Sequence, residues 1–297
     1  MKTIGILAFR KPAFDSYASI DQIVEAGEKK GFNMVRLYQE YLTFRKNGHS
    51  IEVLHDGHPL GQIDAIIARP NITEEPTLNT YTPELLAEAG YLIVNNLSNL
   101  SRTKNKLDQH ATFYKHDIPT PKWGIARTAD GAIKLAEQIG WPIIIKTSFG
   151  THGKGVFYAE NSETLQPIVD YIHIRDHAPV IIEEFVQEAN RQDYRAYVVG
   201  GQVIAAMERH ARPGDIRANA SLGGQATKAE LTEDEINLSI KVAEIFKLDI
   251  AGVDFVRTSQ GPQVLEVNAN PGFQELQKVT EIDIAGALID FAASKIK

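Results

Sequence analysis

Three oxygen-bearing side chains near the C-terminal end of the chain have the types and spacing of a metal site. Asp254 lies in the segment GVDFV, and Glu266 and Asn268 lie in the segment QVLEVNANPG, which follows after a short turn. Because alternate residues of a strand share one face, Glu266 and Asn268 project together, and Asp254 can join them across the predicted hairpin. Two carboxylates and an amide carbonyl suit a hard cation that takes its remaining ligands from water and substrate phosphates. The sequence therefore predicts a magnesium site.

The alternative is a solvated hairpin with ordinary polar residues on its outer face. In either case we expect Leu265 and Val267 to point into the core on the opposite face of the strand. The strand runs directly into Asn-Ala-Asn-Pro-Gly, residues 268–272, which ends it in a constrained turn. This turn favours the metal site over the solvated hairpin.

A second segment has the composition of a phosphate-binding loop. In WPIIIKTSFGTHGKGV, Lys146 ends an apolar strand and is followed by three glycines with Thr147, Ser148 and Thr151 among them. Glycines let backbone N–H groups approach phosphate oxygens, and hydroxyls add donors. The spacing fits neither GxxxxGK[ST] nor GxGxxG before a helix, so a flexible hairpin turn is the alternative. A buried ammonium needs an anionic partner, and no acidic residue lies close in sequence to Lys146.

The strand predicted at Val180–Val186, VIIEEFV, leaves an edge that a flat heterocycle could pair with. Its end carries Glu184 and Phe185, where adenine fits, and Asp193 follows as an acceptor for ribose hydroxyls. A core strand with exposed ends and an ordinary turn residue are the alternatives.

The composition limits the possible partners and the possible chemistry. The chain has 297 residues, 43% of them hydrophobic, which is enough for two or three packed units. Its net charge of −7 favours neither nucleic acid nor an anionic membrane as the main partner. It has no cysteine, which excludes disulfides and thiol nucleophiles. Since no run of membrane-spanning length or secretory signal is recognisable, we expect a cytoplasmic protein.

The order of the predicted elements indicates an α/β (α+β) chain of three units. A strand at Thr3–Phe9, a helix at Ser19–Lys30 and a strand at Asn33–Leu37 begin a parallel sheet, with further strands at 52–54, 65–68 and 92–94 and a helix at 83–89. A polar helical stretch at 98–116 ends before Pro119 and Pro121. Alternating strands and helices follow up to residue 186, then hairpins, a helix at 232–246, the metal hairpin and a helix from Ile284. The predicted units are residues 1–97, 98–186 and 187–297.

These motifs occur in one order over most of the chain, and together they resemble the ATP-grasp ligases. Within that superfamily the sequence is most similar to the RimK-type α-L-glutamate ligases. The matching segments, which cover about 101–287, are SRTKNKLDQH, IIIKTSFGTHGKGV, QDYRAYVVGG, AAMERHARPGDIRANA, GVDFVR, LEVNANPGF and VTEIDIAG.

The resemblance implies an ATP-grasp fold with an N-terminal pre-ATP-grasp domain, a central domain and a C-terminal domain that carries the metal. The residues it assigns to ATP are Lys106 and Lys146 on the phosphates, Glu184 and Phe185 on adenine, Asp193 on ribose, and Arg217 and Asn219 in a mobile segment. It assigns magnesium or manganese, as two ions, to Asp254, Glu266 and Asn268. Arg209 and Arg195 are candidates for gripping the carboxylate substrate or its activated form. The family also implies a homo-oligomer, either a dimer or a tetramer.

The chemistry expected of such an enzyme is amide formation through an acylphosphate. ATP converts a resistant carboxylate into an electrophile with a good leaving group, and lysines, arginines and metal ions stabilise the transferring phosphoryl group. Residues 212–226 have the length and composition of a lid that excludes water. This sequence departs from the family there, because Ala220-Ser221-Leu222 precedes Gly223-Gly224 where an arginine is usual, and His210 stands where a second arginine is frequent.

The leading hypothesis is an ATP-dependent ligase that adds L-glutamate to a peptide, a protein C-terminus or a glutamate chain. One alternative is an ATP-grasp ligase that acts on a small metabolite or a carrier protein, as in amino-acid biosynthesis or cofactor glutamylation. Another is a catalytically silent ATP-binding module, which would not need all three metal ligands.

Overall fold

The computed structural model describes residues 1–9, 18–69, 77–95, 100–148, 155–211 and 225–297. Within these residues, no helix has the length and apolar character needed to cross a membrane.

The N-terminal part of the chain forms a parallel sheet with a small antiparallel sheet beside it. Its elements are β1 (Thr3–Ala8), α1 (Ala18–Lys29), β2 (Asn33–Tyr38), β3 (Leu42–Asn47), β4 (Ser50–His55), β5 (His58–Pro59), β6 (Ala65–Arg69), α2 (Thr77–Glu88) and β7 (Ile93–Val94). The parallel sheet has the order β2-β1-β6-β7, as the strand–helix–strand pattern predicts. The strand predicted at 52–54 instead belongs to the antiparallel sheet β3-β4-β5, because Leu42–Asn47 pairs with it as a hairpin.

The polar helical stretch after this sheet is two helices rather than one. These are α3 (Leu100–Lys104) and α4 (Lys106–Lys115). They separate at Asn105, whose extended backbone and side chain cap α4 by accepting a hydrogen bond from the N–H of Leu107 at 3.0 Å. The cap fixes where α4 begins, and therefore places Lys106 at its first position.

The central part forms an antiparallel sheet with helices on one face. Its elements are β8 (Trp123–Ala126), α5 (Ala129–Ile139), β9 (Ile143–Thr147), β10 (Val156–Ala159), α6 (Ser162–Asp176) and β11 (Val180–Glu184), with the strand order β10-β9-β11-β8. Ile145 and Ile182 pack with the helices in a buried core. Because side chains alternate along a strand, Lys146 and Glu183 lie on the opposite face, which α5 and α6 do not cover.

The C-terminal part is a five-stranded antiparallel sheet in the order β14-β13-β12-β15-β16. Its elements are β12 (Gln192–Val199), β13 (Gln202–His210), β14 (Gln225–Lys228), α7 (Glu233–Ile245), β15 (Ile250–Thr258), β16 (Gly261–Asn268), α8 (Gln274–Thr280) and α9 (Ile284–Lys295). The hairpin of β15 and β16 was predicted, but α8 was not.

The N-terminal and C-terminal sheets share their hydrophobic cores. One core joins Leu7 to Val267, and another joins Ile4 to Leu288. Among the described residues, the central sheet and its two helices have a separate core formed by residues between 126 and 182. The N-terminal and C-terminal sheets are therefore packed as one body, and the central sheet contacts that body through other interactions, described below.

Candidate active site

The predicted metal ligands lie on one face of the C-terminal sheet. The strand register arranges the side chains of this face in two neighbouring rows across β12, β15 and β16: Arg195, Asp254 and Glu266 in the first, and Tyr197, Gly252 and Asn268 in the second. Directly opposed residues of antiparallel strands share a face. The register therefore brings Asp254, Glu266 and Asn268 together, as the alternation predicts.

The core-facing residues of β16 differ from the prediction at one position. A bulge between Asp254 and Phe255 leaves Leu265 unpaired, and Phe255 faces Val264 instead. The buried residues are therefore Val264 and Val267, and Leu265 remains half-buried outside the core. The prediction for Val267 is confirmed, and that for Leu265 is wrong because strict alternation does not anticipate a bulge.

The oxygen set on this face fits a hard divalent cation. In the described part of the chain no three His, Cys, Asp or Glu side chains are grouped as a metal site, so the set depends on the amide of Asn268 as its third donor. The Asp254 carboxylate accepts arginine N–H groups on both oxygens; two arginines contact Oδ2 and one contacts Oδ1, so Oδ1 has a second lone pair for a metal. Two carboxylates with one amide oxygen match the ligands that magnesium prefers.

Two arginines and two aspartates form a buried group that we call the aspartate–arginine cluster: Asp193, Arg195, Arg209 and Asp254. Arg195 donates to both oxygens of Asp254, from Nε at 2.7 Å and from Nη2 at 2.6 Å. Arg209 ion-pairs with Asp193 and, through Nη2, with Asp254 at 3.1 Å. Both arginines predicted to grip a carboxylate substrate are thus in the site, but each is already paired with a carboxylate of the protein.

The pKa values of the two aspartates in this cluster are shifted in opposite directions. Burial acts to raise the pKa of Asp254, but the charges and hydrogen bonds of Arg195 and Arg209 outweigh it and hold that pKa at about 2. For Asp193, burial together with the nearby negative charge of Asp254 raises the pKa in spite of Arg209. Asp254 is therefore the carboxylate that the arginines keep ionised.

Lys106 lies at the start of α4, where it contacts both halves of the site. Its Nζ is 3.1 Å from the Glu266 carboxylate, and its backbone N–H donates to the carbonyl of Ser148 at 2.9 Å. Ser148 is the last described residue before the glycine-containing segment 149–154. Lys106 therefore connects β16, which carries Glu266, with the predicted phosphate loop.

Lys146 has an anionic partner that sequence proximity does not reveal. Its Nζ is 2.5 Å from the Glu183 carboxylate on the neighbouring strand, and Nε2 of His110 is 3.1 Å from the other oxygen of Glu183. The His110 contact has an ion-pair distance without the alignment of a hydrogen bond. We call Lys146, Glu183 and His110 the lysine–glutamate–histidine cluster.

The carboxylate of this second cluster is almost completely buried. Burial acts to raise the pKa of Glu183, but the charge of Lys146 and the contact with His110 outweigh it and hold that pKa at about 2. The ring of His110 also stacks at a tilt on Trp123, with centroids 5.0 Å apart. Glu183 therefore holds its negative charge under Lys146 at neutral pH.

Helix α4 contacts both sheets through one face. The side chain of Gln109 accepts the backbone N–H of Val267 on β16 at 2.8 Å, and His110 reaches Glu183 on β11. Positions 106, 109 and 110 share a helix face because they are three and four residues apart. This face of α4 links the two sheets.

The predicted adenine residues lie at the end of β11. The backbone N–H of Glu184 donates to the carbonyl of Lys122 at 2.8 Å, and its side chain lies on the helix-covered face with that of Ile182. Phe185 meets Tyr158 edge to face and borders a cavity of about 420 Å³. The lining of that cavity comprises Trp141, Pro142, Tyr158, Glu160, Phe185, Gln187, Asn190 and Arg191.

Some predictions fall outside the described residues. They concern Arg217 and Asn219, Thr151 with the glycine segment, and the predicted lid except for its last two residues, which begin β14. His210 is described; it pairs with Glu208 at 2.6 Å and lies 3.1 Å from Gln192.

Glu183, His110 and Gln109 are site residues that the sequence argument did not select. Strand alternation groups Glu183 with Lys146 only when the pairing of β9 with β11 is known. The spacing of 106, 109 and 110 is that of one helix face, but it does not show what that face contacts. The missing signal is tertiary.

Comparison with solved structures shows the fold. Over 98% of this chain and 99% of its own, the RimK domain ATP-grasp protein of Sphaerobacter thermophilus superposes with a TM-score of 0.72 at 20% identity. The ATP-grasp ligase PsnB superposes with a TM-score of 0.74 in a complex with a minimal precursor, Mg and ADP, at 18% identity, with 99% and 97% covered. In a complex with precursor peptide PsnA2 and AMPPNP, PsnB superposes with a TM-score of 0.71 at 21% identity, with the same coverage. The chain has the ATP-grasp fold.

The sequence relatives narrow this fold to a family. The model of the RimK-like ATP-grasp domain matches residues 103–292, and the chain belongs to that family. A protein of Hahella chejuensis named probable alpha-L-glutamate ligase 2 is 32% identical over 99% of this chain and 96% of its own length. A Shewanella halifaxensis protein named probable alpha-L-glutamate ligase is 33% identical over 99% of this chain, which spans 63% of that relative. The chain is accordingly an ATP-grasp ligase, an enzyme of the class that joins a carboxylate to an amine with formation of ADP.

Proposed function

We propose that this ligase joins the amine of L-glutamate to the terminal carboxylate of a peptide, a protein or a glutamate chain. The observation that carries the proposal is the row of Asp254 and Glu266 with Asn268 beside it, contacted by Lys106 from a helix that also contacts the strand next to Lys146. The names of the relatives support glutamate, and the peptide complex of PsnB supports a peptide acceptor.

In this proposal each part of the site has one task. Lys106 and Lys146 contact the ATP phosphates, and the backbone at Glu184 with the aromatic surface at Phe185 takes adenine. Asp193 accepts from the ribose, and the resemblance alone adds Arg217 and Asn219. Magnesium or manganese, as two ions, would be held by Asp254, Glu266 and Asn268 and would neutralise charge on the phosphates.

The chain's own residues then account for the chemistry. The lysines hold the γ-phosphoryl group against the acceptor carboxylate, which becomes an acylphosphate as ADP forms. The neutral amine attacks the acyl carbon, and the carbonyl oxygen becomes an oxyanion near Arg209 or Arg195. As the oxyanion collapses, the bond from the acyl carbon to the phosphate oxygen breaks, phosphate leaves, and the nitrogen releases its extra proton to solvent. The aspartates hold both arginines in place, and the positive charge of either guanidinium would stabilise this oxyanion.

The proposal also includes the finer properties that the family resemblance implies. They are the three units 1–97, 98–186 and 187–297, a homo-oligomeric assembly as a dimer or a tetramer, and a cytoplasmic location where ATP is supplied.

Incubation of the purified chain with ATP, magnesium, glutamate and a panel of amino acids and C-terminal peptides tests the proposal. We expect ADP release that depends on glutamate, and a mass increase of the acceptor by whole glutamyl residues. The Asn268→Ala variant is the matched control, because it removes a metal ligand without removing a buried charge. Tight ATP binding without stimulation by any acid–amine pair would instead indicate a silent nucleotide-binding module.

A further inference from the structure

Arg69 is a buried arginine at the carboxyl end of the parallel strand β6. It is 5% exposed, its Nη2 donates to the carbonyl of Pro271 at 3.1 Å, and its guanidinium lies over the ring of Phe273 at 5.5 Å from the centroid. Ligands of open α/β sheets bind beside the carboxyl ends of the strands. Arg69 therefore occupies the edge of the N-terminal sheet where a ligand is expected.

The charge of Arg69 has no counterion in the part of the chain that the structure describes. No carboxylate there lies within ion-pair distance of its guanidinium, and its Nε has no acceptor. The hydroxyl of Tyr197 is also buried without a hydrogen-bond partner. Burial raises the pKa of Tyr197, and the charge of Arg69 and its side-chain contact with the hydroxyl act against that rise, so the two groups lie side by side without the alignment of a full hydrogen bond. A buried charge without a partner is costly, and an anion between these donors would remove that cost.

Arg69 lies next to the predicted metal ligands Asp254, Glu266 and Asn268, which together we call the metal row. Pro271, which accepts from Arg69, packs against Gly252: a Cβ on Gly252 would lie 2.6 Å from Cβ of Pro271 and 3.6 Å from Nε of Arg195. Gly252 stands between Tyr197 and Asn268 in the second row. Arg69 and the first row are thus separated by about one layer of residues.

The turn that joins Arg69 to this row is held rigidly. Asn95, at the end of the N-terminal sheet, donates from Nδ2 to the carbonyl of Ile250 at 2.6 Å and to that of Ala269 at 3.0 Å, and is fully buried. Two residues of the N-terminal sheet, Asn95 and Arg69, therefore fix the turn after β16 from two sides. A ligand bound by Arg69 would have a fixed distance to the metal row.

We propose that Arg69, together with the Tyr197 hydroxyl, binds a carboxylate of the amine substrate that takes no part in the reaction. Arg195 and Arg209 are already paired with aspartates, whereas Arg69 has an unused donor next to the same row. The inference rests on the proposed function and makes it more specific: the amine substrate is an acidic amino acid, held by a non-reacting carboxylate.

Steady-state kinetics of Arg69 variants with glutamate and its two monoamides test this inference. The wild-type enzyme is expected to use at least one monoamide far less well than glutamate. Arg69→Lys and Arg69→Met should raise KM for glutamate about 10- to 100-fold and change KM for ATP less than about 3-fold, since one charge-assisted contact is lost. In Arg69→Met the preference for glutamate over that monoamide should disappear. Tyr197→Phe should raise KM for glutamate by a smaller factor, and Phe273→Leu, which leaves both donors in place, is the matched control.

A purely structural role for Arg69 predicts a different result. Loss of the contact with Pro271 would lower thermal stability and kcat while leaving the KM of glutamate and the preference over monoamides as in the wild type. That outcome overturns the inference and leaves the ligase function intact. If no acid–amine pair is ligated, the proposed function fails, and calorimetric titration of glutamate into wild type and Arg69→Lys in the presence of magnesium and AMPPNP still decides the inference: equal binding, or none, refutes it.

Discussion

The two buried charge clusters differ in how many partners each charge has. In the lysine–glutamate–histidine cluster, the single carboxylate of Glu183 serves both nitrogen partners. In the aspartate–arginine cluster, Arg209 contacts two aspartates and Asp254 contacts two arginines. The first cluster therefore depends on one residue for its neutrality, whereas the second shares its charges. In the aspartate–arginine cluster, where the charges are shared, Asp254 can also bind a further cation. In the lysine–glutamate–histidine cluster, the single carboxylate of Glu183 fixes Lys146 in place.

The strongest test of the shared cluster is removal of the Asp254 charge. We expect Asp254→Asn to lower the rate of ADP formation by about 100-fold or more, since a metal ligand and a fixed charge are lost together. Arg209 keeps Asp193 in this variant, so the protein should still fold. Rates at rising magnesium and circular dichroism measure the two effects. Activity within a few-fold of wild type would show that Asp254 holds no metal.

Removal of the Glu183 charge tests the cluster that depends on one carboxylate. Glu183→Gln should lower the free energy of unfolding by about 3–5 kcal/mol, because Lys146 is left buried without a counterion. Chemical denaturation measures the change. The neighbouring Glu184→Gln is the matched control, since Glu184 lies on the other face of β11. This variant should lower the free energy of unfolding by less than about 1 kcal/mol. Equal losses in the two variants would contradict the distinction between the clusters.

The dependence of stability on pH should report the same carboxylate. The pKa of Glu183 is about 2 in the folded chain and 4.5 ordinarily, so its stabilising contribution is complete above pH 4.5 and is lost as the pH falls towards 2. Between pH 4.5 and 2, the unfolding free energy of Glu183→Gln should fall less steeply with decreasing pH than that of the wild type. The two slopes should differ by about 1.4 kcal/mol per pH unit. Denaturation curves at several pH values measure the slopes. Parallel slopes would mean that the pKa of Glu183 is not lowered.

The smallest effect concerns the helix that connects the clusters. Gln109→Ala should lower the free energy of unfolding by about 1–3 kcal/mol, because the buried N–H of Val267 loses its acceptor. On the same helix Tyr114 is 79% exposed, and Tyr114→Ala should change stability by less than about 0.5 kcal/mol. Thermal unfolding of both variants compares them. A Gln109 variant as stable as the Tyr114 variant would show that α4 does not hold β16.

Much of the fold follows from local pattern. The strand predicted at Val180–Val186 begins at Val180 and ends at Glu184 in the structure, and the strand predicted at Asn33–Leu37 is longer by one residue, ending at Tyr38. The errors lie where a local pattern is ambiguous. The strand β3 has only two apolar residues, Leu42 and Phe44, so its hydrophobic alternation is short, and Pro83 suggested a helix start although it lies inside α2.

The candidate site was predicted where its residues are neighbours in sequence or in one hairpin. Glu266 and Asn268 share a strand, and Asp254 is in the paired strand, so alternation alone groups them. The partners of Lys146 were not predictable in this way, because Glu183 is 37 residues away. The contact of Arg69 with Pro271 spans 202 residues and joins two sheets. No periodic pattern encodes such a contact.

By itself the sequence determined most of the element types, the grouping of Asp254, Glu266 and Asn268 on one face of a hairpin, and the family, because each depends on residue types at short, regular spacing. Only the tertiary structure decided which charges neutralise one another: Lys146 with Glu183, Arg195 with Asp254, and Arg69 with no carboxylate in the described residues. The physical reason is that an ion pair depends on distance in space and on burial, and both are set by how the sheets and α4 pack.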